Sequence, residues 1–120
     1  MIIVKGSIPV KADHRDEALQ LLQLLAERSR VEHGCLAYEI YINADSPETF
    51  VIWQQWRGLD ALESHFASTH VDEFLEAIPD LIDGDVTSAR FEVLSEEQQS
   101  GAEDALEQPQ VQLADNIVLH

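Results

Sequence analysis

Cys35-Leu36-Ala37-Tyr38-Glu39-Ile40-Tyr41-Ile42, then Asn43-Ala44-Asp45-Ser46-Pro47, then Thr49-Phe50-Val51-Ile52-Trp53-Gln54-Gln55-Trp56, is the stretch on which the fold turns. Its first part alternates Leu36, Tyr38, Ile40 and Ile42 with Ala37, Glu39 and Tyr41, the period-two signature of a strand. The middle carries turn chemistry, and the last part is rich in β-branched and aromatic side chains, so the two runs form a hairpin. In the second run Phe50, Ile52 and Gln54 alternate with Val51, Trp53 and Gln55, which makes it apolar on both sides at its start. Helices can cover one face of such a sheet; the other predicts a second chain stacked against it, a homodimer.

Outward from the hairpin, Ile2 to Val10 is β-branched and contains Pro9, which suits a first strand whose end lacks a ladder donor. Asp13 can accept from amides of a first turn. Ala18, Leu21, Leu22, Leu25 and Ala26 recur at helical spacing, predicting a helix over Asp13 to Val31 that Gly34 closes. On the far side Gly58 breaks the pattern. Leu59, Leu62 and Phe66 form one helical stripe, and Val71, Phe74, Leu75 and Ile78 form another beyond Ser68-Thr69. Pro79 ends this bipartite region, Gly84 permits a turn, and Val86 to Leu94 supplies the last strand. The order is β-α-β-β-α-β, the α+β ferredoxin-like arrangement with an antiparallel four-stranded sheet and helices on one face. No internal repeat is visible.

The 120 residues, 45% of them hydrophobic, suit one domain, predicted over residues 1–94. Residues 95–120 read as an acidic extension: Ser95 to Gln110 is linker-like, and the apolar run Asn116 to His120 predicts docking on the partner subunit. A formal charge of −16 repels phosphate backbones and anionic lipid, so neither nucleic acid nor a membrane surface is expected as a partner. A lone Cys35 has no disulfide partner within the chain, and no long apolar run marks export or membrane insertion; a reducing, cytoplasmic setting is expected.

Nucleotide, zinc-protease and serine-hydrolase motifs are absent, as is C-x-x-C. The residues left for chemistry are Tyr38, Tyr41, Trp53, Trp56, His65 and His70. His65 follows Leu62 by three positions and lies beside the apolar stripe, where a neutral imidazole can exchange a proton with a phenol or enol near pH 7. A core histidine satisfied by one hydrogen bond is the commoner outcome for such a residue. His70 shares a face with Phe74 and Ile78, although the start of a helix also suits a partly exposed cap; His14 and His33 are surface residues. His65 and His70 straddle the helix break with no Cys or carboxylate at a recognised ligand spacing, so no metal is expected. Trp53 and Trp56, three positions apart, point to opposite faces; Trp53 is assigned to core filling and Trp56 to ligand contact. Glu39 and Arg90 could pair across strands or face the subunit interface, and Cys35 reads as an inert thiol.

Glu32 to Glu39, Phe50 to Trp56 and Ala61 to Phe74 resemble the antibiotic biosynthesis monooxygenase family, over about residues 1–94. The resemblance implies a dimeric α+β barrel, but not one reaction: the family includes monooxygenases acting on quinols and polyketide phenols, haem-degrading enzymes and an autoinducer-2 phosphate isomerase. Two departures matter. Gln54 stands where many members have Glu two residues before the tryptophan, which removes a possible base. His65 occupies the position of the tryptophan that haem degraders need, with acidic residues near Glu76 where they have histidine, so haem degradation is disfavoured. What the resemblance implies first is an oxygenase without cofactor, acting with O₂ on a quinol or other hydroxylated aromatic. His65 would take the phenolic proton, while Trp56, Tyr38, His70 and Phe66 shape the pocket. The alternatives are a proton-shifting isomerase and a noncatalytic dimeric ligand-binding module.

Overall fold

The computed structural model describes residues 1–94 and a strand at Val111–Leu113. Strand β1 (Ile2–Pro9), a 3₁₀ turn (Ala12–His14), helix α1 (Arg15–Arg30), strands β2 (Cys35–Asn43) and β3 (Ser46–Trp56), helices α2 (Leu59–Phe66) and α3 (Thr69–Ala77), a second 3₁₀ turn (Ile78–Leu81) and strand β4 (Thr87–Val93) follow in order. The short β5 (Val111–Leu113) adds a fifth strand to the expected four; the sheet order is β2-β3-β1-β4-β5, with every pairing antiparallel. The expected linker Ser95 to Gln110 and the run Asn116 to His120 lie outside the described residues.

Register assigns the two faces. Tyr38 pairs with Gln54, Ile40 with Ile52 and Ile42 with Phe50, while β1 sets Ile2 against Trp56 and Ile8 against Phe50. Cross-strand partners share a face, so these residues look toward the helices, where Ala18, Leu22, Leu25, Leu62, Val71 and Phe74 complete a buried core. The opposite face carries Ile3, Val51, Trp53, Ala89 and Phe91, all half-buried.

Several local expectations are corrected. Asp13 lies inside the 3₁₀ turn rather than capping the long helix, whose first α-helical residue is Arg15; no side chain caps it. Pro47 sits within β3 because that end of the strand runs beyond β1, whose pairing stops at Thr49, and no ladder donor is needed from it there. Leu36 falls at a register shift between Cys35 and Ala37 and is exposed, so it does not join the face of Tyr38. Glu39 and Arg90 cannot pair: β3 and β1 separate their strands, Glu39 is opposite Trp53 on one face, and Arg90 is opposite Val4 on the other. Glu39 instead accepts a hydrogen bond from the Tyr41 hydroxyl at 2.6 Å.

Candidate functional site

The loop between α1 and β2 brings in a residue that pattern reading does not single out. The Glu32 amide donates to the Ser29 carbonyl (3.0 Å), the Cys35 amide to the Glu32 carbonyl (3.1 Å), and the Arg57 amide to the Gly34 carbonyl (2.8 Å). Gly34 has φ +86°, a conformation that a side chain disfavours, and a Cβ there would stand 2.5 Å from the Ala61 Cβ. The loop is therefore pressed onto the start of α2, and the Glu32 side chain is carried toward the junction of α2 and α3.

One carboxylate oxygen, Glu32 Oε2, lies 2.6 Å from His65 Nδ1 and 2.7 Å from His70 Nε2. The junction fixes the imidazoles. The Ser68 amide and hydroxyl both donate to the His65 carbonyl, at 3.0 and 2.6 Å, and the same hydroxyl stands 3.3 Å from His70 Nε2. The His65 ring is buried, its centroid 4.6 Å from that of Trp56 and 5.4 Å from that of Tyr38. Burial lowers its pKa below the usual imidazole range; the Glu32 carboxylate opposes this and His70 adds to it. The ring is thus held neutral in the core, with its Nδ1–H donated to the Glu32 carboxylate. Burial likewise raises the Tyr38 phenol, so that hydroxyl stays protonated at neutral pH.

The expected pocket residues take different places. Tyr38 and Trp56 do surround His65, as floor and wall of a filled core. Trp56 is 0% exposed and donates from Nε1 to the Gln54 carbonyl oxygen at 2.9 Å. The assignments of the two tryptophans are thus exchanged in burial: Trp56 fills the core, and Trp53 lies half-buried on the helix-free face, donating to Gln55. Both do point to opposite faces, as their spacing requires. Gln54 keeps this position neutral and so avoids burying a second carboxylate beneath the histidine. Phe66 is 46% exposed although its ring centre is 5.5 Å from that of His65, and it does not wall the core. His70 is partly exposed, as a helix-start residue, yet bonded into the same network.

The pocket expected beside the imidazole is not open there, because Tyr38 and Trp56 themselves fill that space. The open volume, about 560 Å³, lies on the other side of the network, in a cleft lined by Glu32, His33, Gly34, Arg57, Asp60 and Ser64 with other residues of the α2 start. Its walls mix cationic, anionic and apolar groups. Glu32 belongs both to this cleft and to the buried pair, so it is the link between solvent-accessible space and His65. The reason given for expecting no metal also fails: a carboxylate 33 residues from His65 in sequence supplies the third donor that local spacing lacks. The half-buried Cys35 thiol is raised by burial and then by Glu32, in keeping with an inert role.

The sequence model described as antibiotic biosynthesis monooxygenase matches residues 1–77. An uncharacterised protein of Synechocystis is 38% identical over 81 residues, a match covering 68% of this chain and 55% of that protein, so the chain spans about half the length of this relative. The Bacillus subtilis protein "Putative monooxygenase YcnE" is 28% identical over 93 residues, covering 78% of this chain and 98% of its own. Among solved structures, that of a Deinococcus radiodurans protein ascribed to the antibiotic biosynthesis monooxygenases superimposes with a TM-score of 0.75 at 29% identity, covering 79% of this chain and 94% of the other.

Proposed function

Since the chain belongs to the antibiotic biosynthesis monooxygenase family, we propose that it oxidises a quinol or another electron-rich hydroxylated aromatic with O₂, the substrate itself being the reductant. The observation that carries this reading is the carboxylate oxygen of Glu32, shared by two imidazoles and exposed to a cleft large enough for one aromatic ring. A substrate hydroxyl in the cleft meets Glu32. The Glu32 carboxylate takes the proton that the hydroxyl gives up, and the ring N–H groups of His65 and His70, which donate to Glu32 Oε2, hold that carboxylate in place. The electron-rich anion left behind reacts with O₂; one oxygen atom enters the ring and the other leaves as water, turning a quinol into a hydroxyquinone with no outside reductant. Arg57 and His33, on the cleft wall, stand where they can offset the developing negative charge.

Trp56 and Tyr38 serve this reaction from behind. They fix the face of the imidazole and keep water from its inner side, which keeps the ring neutral and its Nδ1–H aimed at Glu32. A second copy of the chain, laid on the helix-free face over Val51, Trp53 and Phe91, completes a dimeric barrel in this reading. A reducing cell interior suits the free thiol of Cys35. No helix among the described residues is long and apolar enough to cross a membrane.

The test is oxygen uptake by the full chain with a panel of quinols, comparing Glu32→Gln and His65→Ala with the unaltered protein. Loss of the base, or of the imidazole that holds it, is expected to slow uptake by about 10²- to 10⁴-fold in each. Unchanged turnover in His65→Ala, or substrate conversion without oxygen consumption, overturns the reading; the latter outcome favours the proton-shifting isomerase.

A further inference from the structure

We propose that Glu32, His65 and His70 constitute a site for a divalent transition-metal cation of the Zn²⁺ type, reached from the cleft. The three donor atoms lie within 4.8 Å of one another and come from three segments, the α1–β2 loop, α2 and the first turn of α3. Two imidazoles and one carboxylate form a borderline-soft donor set that Zn²⁺ takes as three protein ligands, leaving a further position open. Such a convergence is uncommon in a partly buried place, because three groups that each want a hydrogen-bond partner are aimed at one point.

The fit can be judged from lengths. Zn–N and Zn–O bonds of about 2.0–2.2 Å put tetrahedral neighbours roughly 3.3 Å apart. The present contacts of 2.6 and 2.7 Å are hydrogen bonds, so Glu32 Oε2 must withdraw by roughly 0.6 Å and the imidazole of His70 must turn toward His65. Both side chains have the freedom to do so. Glu32 and His70 are 15% and 17% exposed, whereas His65 is locked by Trp56 and Tyr38 and acts as the fixed ligand. The Ser68 hydroxyl, 3.3 Å from His70 Nε2, is an oxygen at the rim of the cluster. A net charge of −16 also draws cations to the protein as a whole.

The consequence for the site rests on the function proposed above. A cation on His65 Nδ1 and Glu32 occupies the carboxylate that receives the substrate proton, so it acts as a blocker rather than a cofactor. Binding itself does not depend on that reading and is measured without substrate. The full chain, freed of metal by a chelator, is titrated with Co²⁺ while its visible absorption is followed, and with Zn²⁺ by calorimetry.

The expected result is one cation per chain, with the intense visible bands of low-coordinate Co²⁺. Affinity should fall at least about tenfold in His70→Ala and in Glu32→Gln. His14→Ala, which removes the imidazole of the exposed His14–Glu17 pair, should leave it unchanged. His70→Ala removes a partly exposed ring, so the core can stay folded while the ligand is lost; circular dichroism checks this. Absence of saturable binding, or binding that His70→Ala does not weaken, overturns the site. Zn²⁺ that binds yet leaves oxygen uptake unchanged overturns the blocking role. Failure of the monooxygenase reading would look different, as absent uptake in cation-free protein.

Discussion

The two faces of the sheet use the same kinds of residue for opposite ends. Toward the helices, Tyr38, Phe50, Ile52 and Trp56 are buried, and Trp56 Nε1 is bonded to Gln54 and His65 to Glu32, while the buried Ser29 hydroxyl has no hydrogen-bond partner among the described residues. On the far side, Ile3, Val51, Trp53 and Phe91 are only half-buried and share their face with Lys5, Glu39 and Tyr41. One face is finished within the chain. The other has the mixture of apolar centre and polar edge that suits a subunit contact. Trp53 and Trp56 therefore differ in what they hold together, although both are strand tryptophans that donate to a glutamine two positions away on the same face.

The sharpest way to break this contrast is to truncate each tryptophan. Trp56→Ala leaves a large cavity beneath His65 and an unpaired Gln54 carbonyl, and should cost about 3–5 kcal/mol in urea unfolding. An effect below about 1 kcal/mol would mean that the covered face is not the stabilising one. Gly34→Ala comes next. Its methyl group would meet Ala61 at 2.5 Å in a backbone conformation that side chains resist, so a loss of about 1–3 kcal/mol is expected, with α2 displaced. Denaturation midpoints give the first quantity, and broadened or shifted resonances of Ala61 and His65 report the second.

Trp53→Glu sharpens the other half of the comparison. It should leave the fold of each chain intact, by circular dichroism, while weakening self-association by at least about tenfold in sedimentation experiments. A protein that sediments as a monomer before the substitution would remove the reason for the apolar far face. The smallest expected effect is at Cys35. Burial and then the Glu32 charge raise its pKa, so the reactive thiolate is scarcer than in a free thiol at pH 8, and alkylation by iodoacetamide should be slower. Glu32→Gln removes the second cause and should speed alkylation modestly, the rate rising toward that of a free thiol without reaching it.

Alternation and helical spacing were enough to read the strand order, the hairpin, the break at Ser68-Thr69 and the chain reversal at Gly34, because each depends on neighbours a few positions away. Boundaries slipped where a local preference met a tertiary contact. Asp13 has the chemistry of a cap, yet the chain first makes a 3₁₀ turn; Pro47 looks like a turn residue, yet the strand begins before it. The site was legible in its imidazoles and not in its carboxylate. His65 sits on an apolar stripe, which flags it, whereas Glu32 is one acidic residue among 23 and gains its meaning only when the loop folds across to α2. The signal that could have pointed to it is its place two residues before Gly34, in a loop that the glycine makes tight. The burial order of Trp53 and Trp56 was out of reach for a similar reason: spacing puts them on opposite faces but does not say which face receives the helices.

Ser68 has a bearing on how this family member could change its preferences. Its hydroxyl closes α2 on the His65 carbonyl and stands against His70, the second residue of α3. The two imidazoles consequently ride on separate short rods that share one pivot. Tilting α3 alters the gap between the rings while the aromatic floor under His65 stays packed, so substitutions along the outer side of α3 can retune the reactive geometry without the penalty that repacking an interior exacts.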